Sequence, residues 1–500
     1  MTRLFFNNKG QTTLSMLLPL VLFFFLLVFI AYIIPALSTV KTIALIAGLV
    51  FFIASFISTE IALYLLIFSM LLSPEFIIGS TEGASLGRGV TIRVDDFLLM
   101  IIGISWVAHM AVNKELGLFL KTPLNMPIAL YILVCLVSTL FGSLFGRVDF
   151  KTGFFFVLKY FEYTIVYFMV VNHLKHEKQI VRFVWAILIT CAVVSIIGIS
   201  QIPLGGRVSA PFEGESGEPN TLGGYLIFII SITSGLLLTS RSLQKRLLLG
   251  MLIALFLVPL LYTQSRSSYA ALLPAVFTFL FLSEKKMVIL ISILCAGFIF
   301  LVHTPEVAKK RIFYTFTQGR NRTDVVKVGG VKLDTSTSDR LSSWYSASRD
   351  WTKEPILGYG VTGYKFVDAQ YIRVLVETGV TGLLVFILLM VRIYKKAHEN
   401  LLAAQNPFNR GLVMGFIAGF VGLLFHGIGA NTFIIVRIME PFWFVTAMVM
   451  LVNKVEKEEF PVEPPKASRR NMRNKRVIFP SPQTPGDLSF PDRRQGSVHR

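Results

Sequence analysis

The stretch that decides the fold is FVWAILITCAVVSIIGISQIP, residues 183–203, which carries no charged side chain. A bilayer core about 30 Å thick is crossed by about 20 apolar residues in an α-helix. The run lacks the alternation of a barrel strand, and a helix satisfies its own backbone hydrogen bonds in lipid, so the stretch predicts a transmembrane helix. Thirteen further stretches have the same character: 17–34, 40–57, 61–78, 95–113, 125–146, 152–171, 221–239, 247–263, 267–283, 287–303, 370–391, 411–430 and 433–452.

The composition of the 500-residue chain agrees with this interpretation. Hydrophobic residues make up 54% and charged residues 15% of the chain, and the mean hydropathy is +0.66. Ordinary soluble domains carry about 25% charged residues. Cys135, Cys191 and Cys295 lie in apolar stretches, so we expect unpaired packing residues and no disulfide framework. The sequence therefore predicts an all-α, polytopic integral membrane protein with about 12 to 14 transmembrane helices.

The distribution of Lys and Arg predicts how the chain crosses the membrane. With the N-terminus inside, the short inner segments hold sixteen basic residues and the short outer loops hold seven. Positive charge in short loops favours the cytoplasmic side, so both termini are predicted to be cytoplasmic. The first stretch is interpreted as a retained span, because its apolar run from Met16 to Ile34 exceeds that of a secretory signal. Twelve spans is the alternative count, since the third stretch contains Pro74 and Glu75 and the ninth and tenth meet near Gln264.

Two segments lie outside the predicted spans. Residues 304–369 form one long extracytoplasmic loop between the helices of 1–303 and those of 370–452. Residues 453–500 hold seven prolines and eleven basic residues, which predicts a disordered, basic cytoplasmic tail close to anionic membrane lipids. The formal net charge of +19 follows from this tail, the outer loop and the membrane orientation. No aromatic and basic binding module accompanies the charge, so nucleic acid is not an expected partner.

Polar residues gather at the predicted outer ends of the spans. A guanidinium offers a fork of donors that suits phosphate oxygens, so outer arginines among hydroxyls and amides predict a pyrophosphate site. Two structural alternatives stay open, because Arg266 could reach lipid headgroups from a helix end and Ser265 could cap a span. The gathered residues are Arg207, Glu218 and Asn220 after the seventh span, Ser265 and Arg266 at the tenth, Arg340 and Arg349 in the outer loop, and Asp368 and Tyr371 at its end.

Other familiar chemistry is excluded by pattern. The segment GYGVTG, Gly358 to Gly363, matches the spacing of a dinucleotide fingerprint, but Pro355 precedes it and a membrane span follows, so a turn is predicted. No HExxH, CxxC or P-loop pattern occurs, which predicts no metal site and no cofactor.

Charged residues also occur inside the predicted spans. Lys159 and Glu162 are three residues apart and share a helix face, and Arg437 and Glu440 repeat that spacing. Charges at membrane depth are expensive and often functional, but local pairing is an equal alternative.

Four short motifs occur in a fixed order around the outer loop. They are T-x-S-R at Thr263 to Arg266, R-x-x-x-W at Arg340 to Trp344, P-x-x-G-x-G at Pro355 to Gly360, and Tyr371 followed by E-x-G-x-x-G at Glu377 to Gly382. In this order the region from Asn220 to Gly382 resembles the bacterial O-antigen ligase and polymerase superfamily.

The resemblance implies a multi-pass glycosyltransferase of the bacterial cytoplasmic membrane that works without metal ions. Its donor would be a glycan on undecaprenyl pyrophosphate, its acceptor a second glycan or a lipid, and its further partners other polysaccharide assembly proteins. Arg266 and Arg340 would hold the pyrophosphate. Arg207, Glu218, Asn220, Ser265, Arg349, Tyr371 and Glu377 would contribute to substrate binding.

One departure from the family pattern bears on the reaction. Ligases of the family usually show His-Asn before the re-entering span, where this sequence has Asp368-Ala-Gln-Tyr371. A polymerase is therefore favoured over a ligase, with Asp368 as the candidate catalytic base and Glu377 as a weaker one. Asp368 could equally cap the span that follows it. A transporter or flippase for lipid-linked oligosaccharides is the alternative function, although the polar residues cluster at one face rather than at the midplane.

Overall fold

The computed structural model describes residues 39–80, 89–112, 121–212, 217–291, 327–328, 331–332 and 335–459. The principal helices of these ranges are α1 (Thr39–Ile57), α2 (Thr59–Leu72), α3 (Val94–Val112), α4 (Asn125–Leu144), α5 (Phe150–His173), α6 (Glu177–Gln201), α7 (Pro219–Thr239), α8 (Leu243–Tyr262), α9 (Arg266–Leu282), α10 (Thr335–Trp351), α11 (Gln370–Ala403), α12 (Pro407–His426) and α13 (Val436–Glu459).

The protein is a helical, polytopic membrane protein. Within the described ranges, eight helices are long and apolar enough to cross a membrane, namely α4 to α8 and α11 to α13. Three apolar helical segments are shorter: Gly48–Ile57, Thr59–Leu72 and Arg266–Leu282. The predicted span 17–34 lies outside the described residues, as does nearly all of 287–303. The count of 12 to 14 spans stays a prediction.

Most helices begin and end close to the predicted positions, but several ends differ. Helix α11 continues to Ala403, whereas its predicted span ends at residue 391, and α6 begins at Glu177, whereas its predicted span begins at residue 183. The third predicted span, 61–78, is shorter in the structure, because α2 ends at Leu72 and Ser73 has extended backbone angles before Pro74. At the other end of the chain, α13 continues to Glu459, whereas the sequence predicts a tail from residue 453. The remainder of that tail lies outside the described residues.

Two short antiparallel strand pairs accompany the helices. Strands β1 (Glu75–Ser80) and β2 (Gly89–Arg93) pair between α2 and α3, with Glu75 opposite Arg93. Strands β3 (Lys327–Val328) and β4 (Val331–Lys332) pair ahead of α10. Helix α10 lies inside the segment that the sequence assigns to the outer loop.

The centre of the bundle is the close packing of α7 on α12. A Cβ on Gly235 would lie 2.2 Å from the carbonyl oxygen of Gly411, and one on Gly415 would lie 2.6 Å from the Cα of Ile232. Small residues let helix backbones approach closely in a membrane, where packing rather than water exclusion drives helix association. The candidate site lies at the end of the bundle where the start of α7 meets the end of α12.

Helix α11 is broken at Gly379, whose φ of 66° and ψ of −172° suit glycine alone. The segment 355–360 fills the break: Gly360 N–H donates to the Glu377 carbonyl (2.8 Å) and Val380 N–H donates to the Pro355 carbonyl (2.9 Å). The P-x-x-G-x-G and E-x-G-x-x-G motifs therefore meet as one backbone arrangement that ties residues 335–369, the outer segment, to α11.

Candidate active site

Five segments meet at one end of the bundle: the start of α7, the turn from α8 to α9, helix α10, the start of α11, and residues 427–435 after α12. Residues just before α7 hold the turn from α8 to α9 in place. The Arg207 guanidinium donates to the carbonyls of Thr263 (3.0 Å) and Gln264 (3.4 Å), and Val208 N–H donates to the Tyr262 carbonyl (3.0 Å). Gln264 has a φ of 51°, in the left-handed region. Arg207 thus stabilises the strained turn that precedes Arg266.

Arg266 is the first residue of α9, directly after the cap. The Ser265 hydroxyl accepts from the Ser268 N–H (3.3 Å) and donates to Asn220 Oδ1 (2.6 Å). The capping role considered for Ser265 is confirmed, and the same hydroxyl links α9 to α7. The Asn220 amide in turn donates to Glu218 (3.5 Å).

Arg340 and Asp368 form an ion pair across the outer segment. Arg340 Nη2 lies 2.7 Å from Asp368 Oδ2, and the two side chains are 25% and 16% exposed. The alternative in which Asp368 caps α11 is wrong, because the residue at the cap position is Ala369. Its carboxylate has turned to the guanidinium instead.

Helix α10 presents Arg340 through a small apolar contact. The buried residues Ala347, Val367 and Ala369 form a cluster on which Trp344 and Tyr364 pack. Arg340, Trp344 and Ala347 share one helix face by their spacing. The two residues of the R-x-x-x-W motif therefore lie on one face of α10, where the packing of Trp344 holds the helix in place beside Arg340.

Residues 427–435 lie against Arg340, α9 and the start of α11. Ser267 Oγ donates to the Gly429 carbonyl (3.1 Å), and Gln370 N–H donates to the Gly427 carbonyl (2.9 Å). A Cβ on Gly429 would lie 2.6 Å from Ser267 Oγ and 3.9 Å from Arg340 Nη1. Arg340 and the residue after Arg266 are thus neighbours across Gly429.

The structure places three other predicted residues in different surroundings. Tyr371 donates its hydroxyl to the Leu424 carbonyl (2.6 Å), which ties α11 to α12. Glu377 is buried, pairs with Arg373 (3.0 Å) and accepts from the Thr362 N–H (3.2 Å) beside the break in α11. Arg349 is exposed and lies nine residues beyond Arg340, on the opposite side of α10. Their substrate-binding roles stay predictions.

Sequence reasoning did not assign His426, which is fully buried at the end of α12. Its Nε2 lies 3.2 Å from Ser268 Oγ and its Nδ1 lies 2.8 Å from Thr432 Oγ1. The available signal was a histidine closing an apolar helix ahead of a glycine-rich turn, and nothing in that pattern identifies its partners.

A second group of charges, the buried charge network, lies among α3, α5 and α13. Arg93 lies 3.1 Å from Asp95, 3.3 Å from Asp96 and 3.7 Å from Glu440. Lys159 pairs with Asp96 and with Glu162, the latter at 3.2 Å, so the predicted pairing of Lys159 with Glu162 is confirmed.

Arg437 stabilises the same region through backbone contacts. Its guanidinium donates to the carbonyls of Leu71 (3.2 Å), Ser73 (3.0 Å) and Pro211 (2.7 Å). It thereby joins α13 to the end of α2 and to the segment before α7.

Near the C-terminal end of α10, Asp350 links the helix to the residues that follow it. Its carboxylate accepts from the Tyr364 hydroxyl (2.7 Å) and the Lys353 ammonium (2.9 Å). Hydrogen bonding to the Tyr364 hydroxyl, followed by the bond to Lys353, lowers the pKa of Asp350 below its usual value. Partial burial and the same hydrogen bond raise the pKa of Tyr364, so its phenol stays protonated.

Comparison with known proteins bears on this end of the bundle. No curated protein matches the chain. The family model described as O-Antigen ligase matches residues 251–387, a range that contains Arg266, Arg340, Asp368, Tyr371 and Glu377. The resemblance to the O-antigen ligase and polymerase superfamily that the motifs predict is therefore confirmed over residues 251–387.

Proposed function

We propose that this membrane protein transfers a glycan from undecaprenyl pyrophosphate to a second glycan on the outer face of the bacterial cytoplasmic membrane. The observation that carries the proposal is the ion pair of Arg340 and Asp368 beside the start of α9, inside the stretch matched by the O-antigen ligase family. The family match favours glycan transfer and gives no support to a transporter.

In the proposed reaction the acceptor hydroxyl attacks the anomeric carbon of the donor sugar. The bond from that carbon to the pyrophosphate oxygen breaks, and its electron pair leaves with the lipid pyrophosphate. Negative charge grows on the leaving group, so a guanidinium beside it binds the transition state more tightly than the ground state. Arg266 and Arg340 are the proposed guanidinium groups, since Arg340 lies next to the α9 start that carries Arg266.

Asp368 would act as the base through an exchange of partners. A pyrophosphate has more negative charge than a carboxylate and would compete with Asp368 for the Arg340 guanidinium. The released carboxylate could then accept the proton of an acceptor hydroxyl within about 3 Å. The partly exposed ion pair suits this exchange, because neither group is fully buried.

The proposal includes polymerisation rather than ligation, because aspartate occupies the place where ligases of the family usually have histidine. It includes two cytoplasmic termini, which would put the candidate site outside and the basic tail against anionic lipid. Other polysaccharide assembly proteins would act as partners.

The test is glycan lengthening by purified protein in detergent, supplied with an undecaprenyl-pyrophosphate-linked repeat unit. The Arg266→Ala and Arg266→Lys variants should lose lengthening by about 100-fold or more and by a smaller factor, respectively. Arg392→Ala, an exposed arginine in the second half of α11, is the matched control and should keep full activity.

Two outcomes would overturn the proposal. Wild-type protein that lengthens no lipid-linked glycan is not a polymerase, and full activity of both Arg266 variants removes the assigned role. Detergent has no two sides, so lengthening there also distinguishes an enzyme from a flippase. A cysteine at Tyr345, which is 74% exposed on α10, should react with an impermeant maleimide from outside the cell. Reaction from the cytosol alone would contradict the orientation.

A further inference from the structure

A continuous chain of buried polar side chains runs beneath the candidate site. From one end to the other it consists of Thr432, His426, Ser268, Ser265 and Asn220, with successive distances of 2.8, 3.2, 2.8 and 2.6 Å. All five side chains belong to residues at most 9% exposed. The chain joins the segment after α12 to α9 and then to α7.

The direction of each hydrogen bond follows from the Asn220 end. The Asn220 amide N–H points to Glu218, so its oxygen accepts the proton of Ser265. The single hydroxyl hydrogen of Ser265 is already donated to Asn220, so Ser265 accepts from Ser268. The hydroxyl hydrogen of Ser268 is donated to Ser265. His426 Nε2 must therefore carry a hydrogen and donate it to the Ser268 oxygen. Nδ1 of a neutral His426 accepts from Thr432.

This direction leaves His426 without a proton to exchange. Its Nε2–H donates to Ser268, and the Ser265 hydroxyl donates its hydrogen bond to an amide oxygen, which does not relay protons. A chain that ends on an amide fixes geometry and does not conduct. His426 therefore serves as a hydrogen-bond donor of defined tautomer.

The backbone is shaped to let the chain form. A Cβ on Gly223 would lie 2.1 Å from Ser268 Oγ, and a Cβ on Gly224 would lie 3.2 Å from His426 Cε1. A side chain at Gly223 would displace Ser268, and one at Gly224 would press on His426 and Ile438. The glycine pair in the first two turns of α7 is thus part of the same arrangement.

The chain passes close to both segments that carry the proposed arginines. Ser265 caps α9 immediately before Arg266, and Thr432 belongs to the segment whose Gly429 contacts Ser267 and approaches Arg340. A shift at His426 would move the start of α9 and the 427–435 segment together.

We propose that His426 is a positioning residue that sets the placement of Arg266 relative to Arg340 through Ser268 and Ser265. The inference rests on the proposed glycan transfer and adds a residue to it. The residue acts as a fixed donor and takes no part in proton transfer.

The first experiment compares two replacements of His426 in the lengthening assay. His426→Gln keeps an N–H near the Nε2 position and should keep kcat within about threefold of wild type, whereas His426→Leu has no donor and should lower kcat about tenfold. The donor KM should change less than kcat, since positioning acts on the transition state.

The second experiment asks whether the effect passes through Arg266. In a double-mutant cycle, His426→Leu should have little further effect in an Arg266→Ala background. Should His426→Leu fail to reach the membrane, Thr432→Val takes its place in the cycle. Its matched control is Thr233→Val, a fully buried threonine of α7 whose hydroxyl bonds to the Ile229 carbonyl of its own helix (2.7 Å).

Three results would overturn the inference while leaving the proposed function intact. They are wild-type kcat in His426→Leu, equal losses in the Leu and Gln variants, and full additivity of Thr432→Val or His426→Leu with Arg266→Ala. Wild-type protein without lengthening activity would overturn the proposed function first.

Discussion

The pair of Arg340 with Asp368 and the buried charge network around Arg93 use the same chemical groups in opposite settings. Arg340 and Asp368 are 25% and 16% exposed, and one carboxylate faces one guanidinium. Arg93 is 4% exposed and lies within 3.7 Å of three carboxylates, two of which, Asp95 and Glu440, are fully buried. The first pair can exchange its partner for a ligand, and the second group has no room to do so.

The two groups differ in how far their charged side chains have been removed from water. Burying a charge costs several kcal/mol per ion, and the cost is recovered only when each charge meets partners in good geometry. In the network, Arg93 and Lys159 lie within ion-pair distance of four carboxylates, although the buried oxygens of Asp95 and Glu440 accept no hydrogen bond within the described residues. Arg340 and Asp368 keep part of their exposure to solvent, which leaves the guanidinium able to exchange its carboxylate for a more charged ligand.

The largest expected effect comes from removing Arg93. Arg93→Ala leaves Asp95, Asp96 and Glu440 without their guanidinium, which should cost about 3–5 kcal/mol of stability. Thermal unfolding in detergent and membrane abundance measure it. Lys178→Ala, an exposed lysine of α6, should stay within about 0.5 kcal/mol of wild type. An Arg93 variant as stable as wild type would contradict the distinction between the two groups.

A second large effect is expected from Arg340→Ala, which should affect activity and leave stability nearly unchanged. Loss of one charge-stabilising donor should lower kcat by about 10²–10³. The freed Asp368 is partly exposed, so the unfolding temperature should fall little. Lengthening kinetics and thermal unfolding on the same preparation separate these effects. A large loss of stability with this variant would place Arg340 with the structural charges instead.

Asp368→Asn should lower kcat by about 10²–10⁴ if the released carboxylate is the base. The amide can still accept from Arg340 but takes no proton from an acceptor hydroxyl. Asp350→Asn, at the other end of the outer segment, is the comparison variant and should cost far less activity. Equal activity of Asp368→Asn and wild type would remove the base assignment.

A smaller effect is expected at the break in α11. Gly379→Ala imposes a Cβ 2.1 Å from the Ile356 carbonyl oxygen at a φ of 66°. Strain of this kind costs about 1–3 kcal/mol. Gly250→Ala in α8, where a Cβ would meet open space, is the matched control and should be neutral or slightly stabilising. Thermal unfolding of the two variants decides; equal stability would show that the break tolerates a side chain.

The smallest effect concerns pH and the outer segment. Because the folded pKa of Asp350 is lowered, its contribution is present above the usual aspartate value of about 4 and is lost as the pH falls through the folded pKa. Tyr364→Phe removes the largest cause of the lowering, so protease sensitivity of residues 335–369 should depend less on pH below about 4 in that variant. An unchanged acid profile would contradict the role of the Tyr364 hydroxyl.

The sequence predicted the helices and the residues of the motifs, since both are local properties. Span length and apolar composition located α4 to α8 and α11 to α13 along the chain, although α11 continues to Ala403, well past its predicted end at residue 391. The four motifs predicted the family that matches residues 251–387. Pairing within one helix, as for Lys159 and Glu162, was also accessible because it depends only on helical spacing.

Contacts between distant segments were decided by the tertiary structure alone. Ser268 and His426 are 158 residues apart, and Ser267 and Gly429 are 162 residues apart. Their meeting depends on how closely α7, α9 and α12 pack, which small residues such as Gly223 and Gly224 permit. The same packing turned Asp368 toward Arg340 and placed the Glu377 carboxylate beside the Thr362 N–H. The length of an apolar run can be read from consecutive residues. The geometry of a polar site depends instead on helix packing, which no single segment specifies.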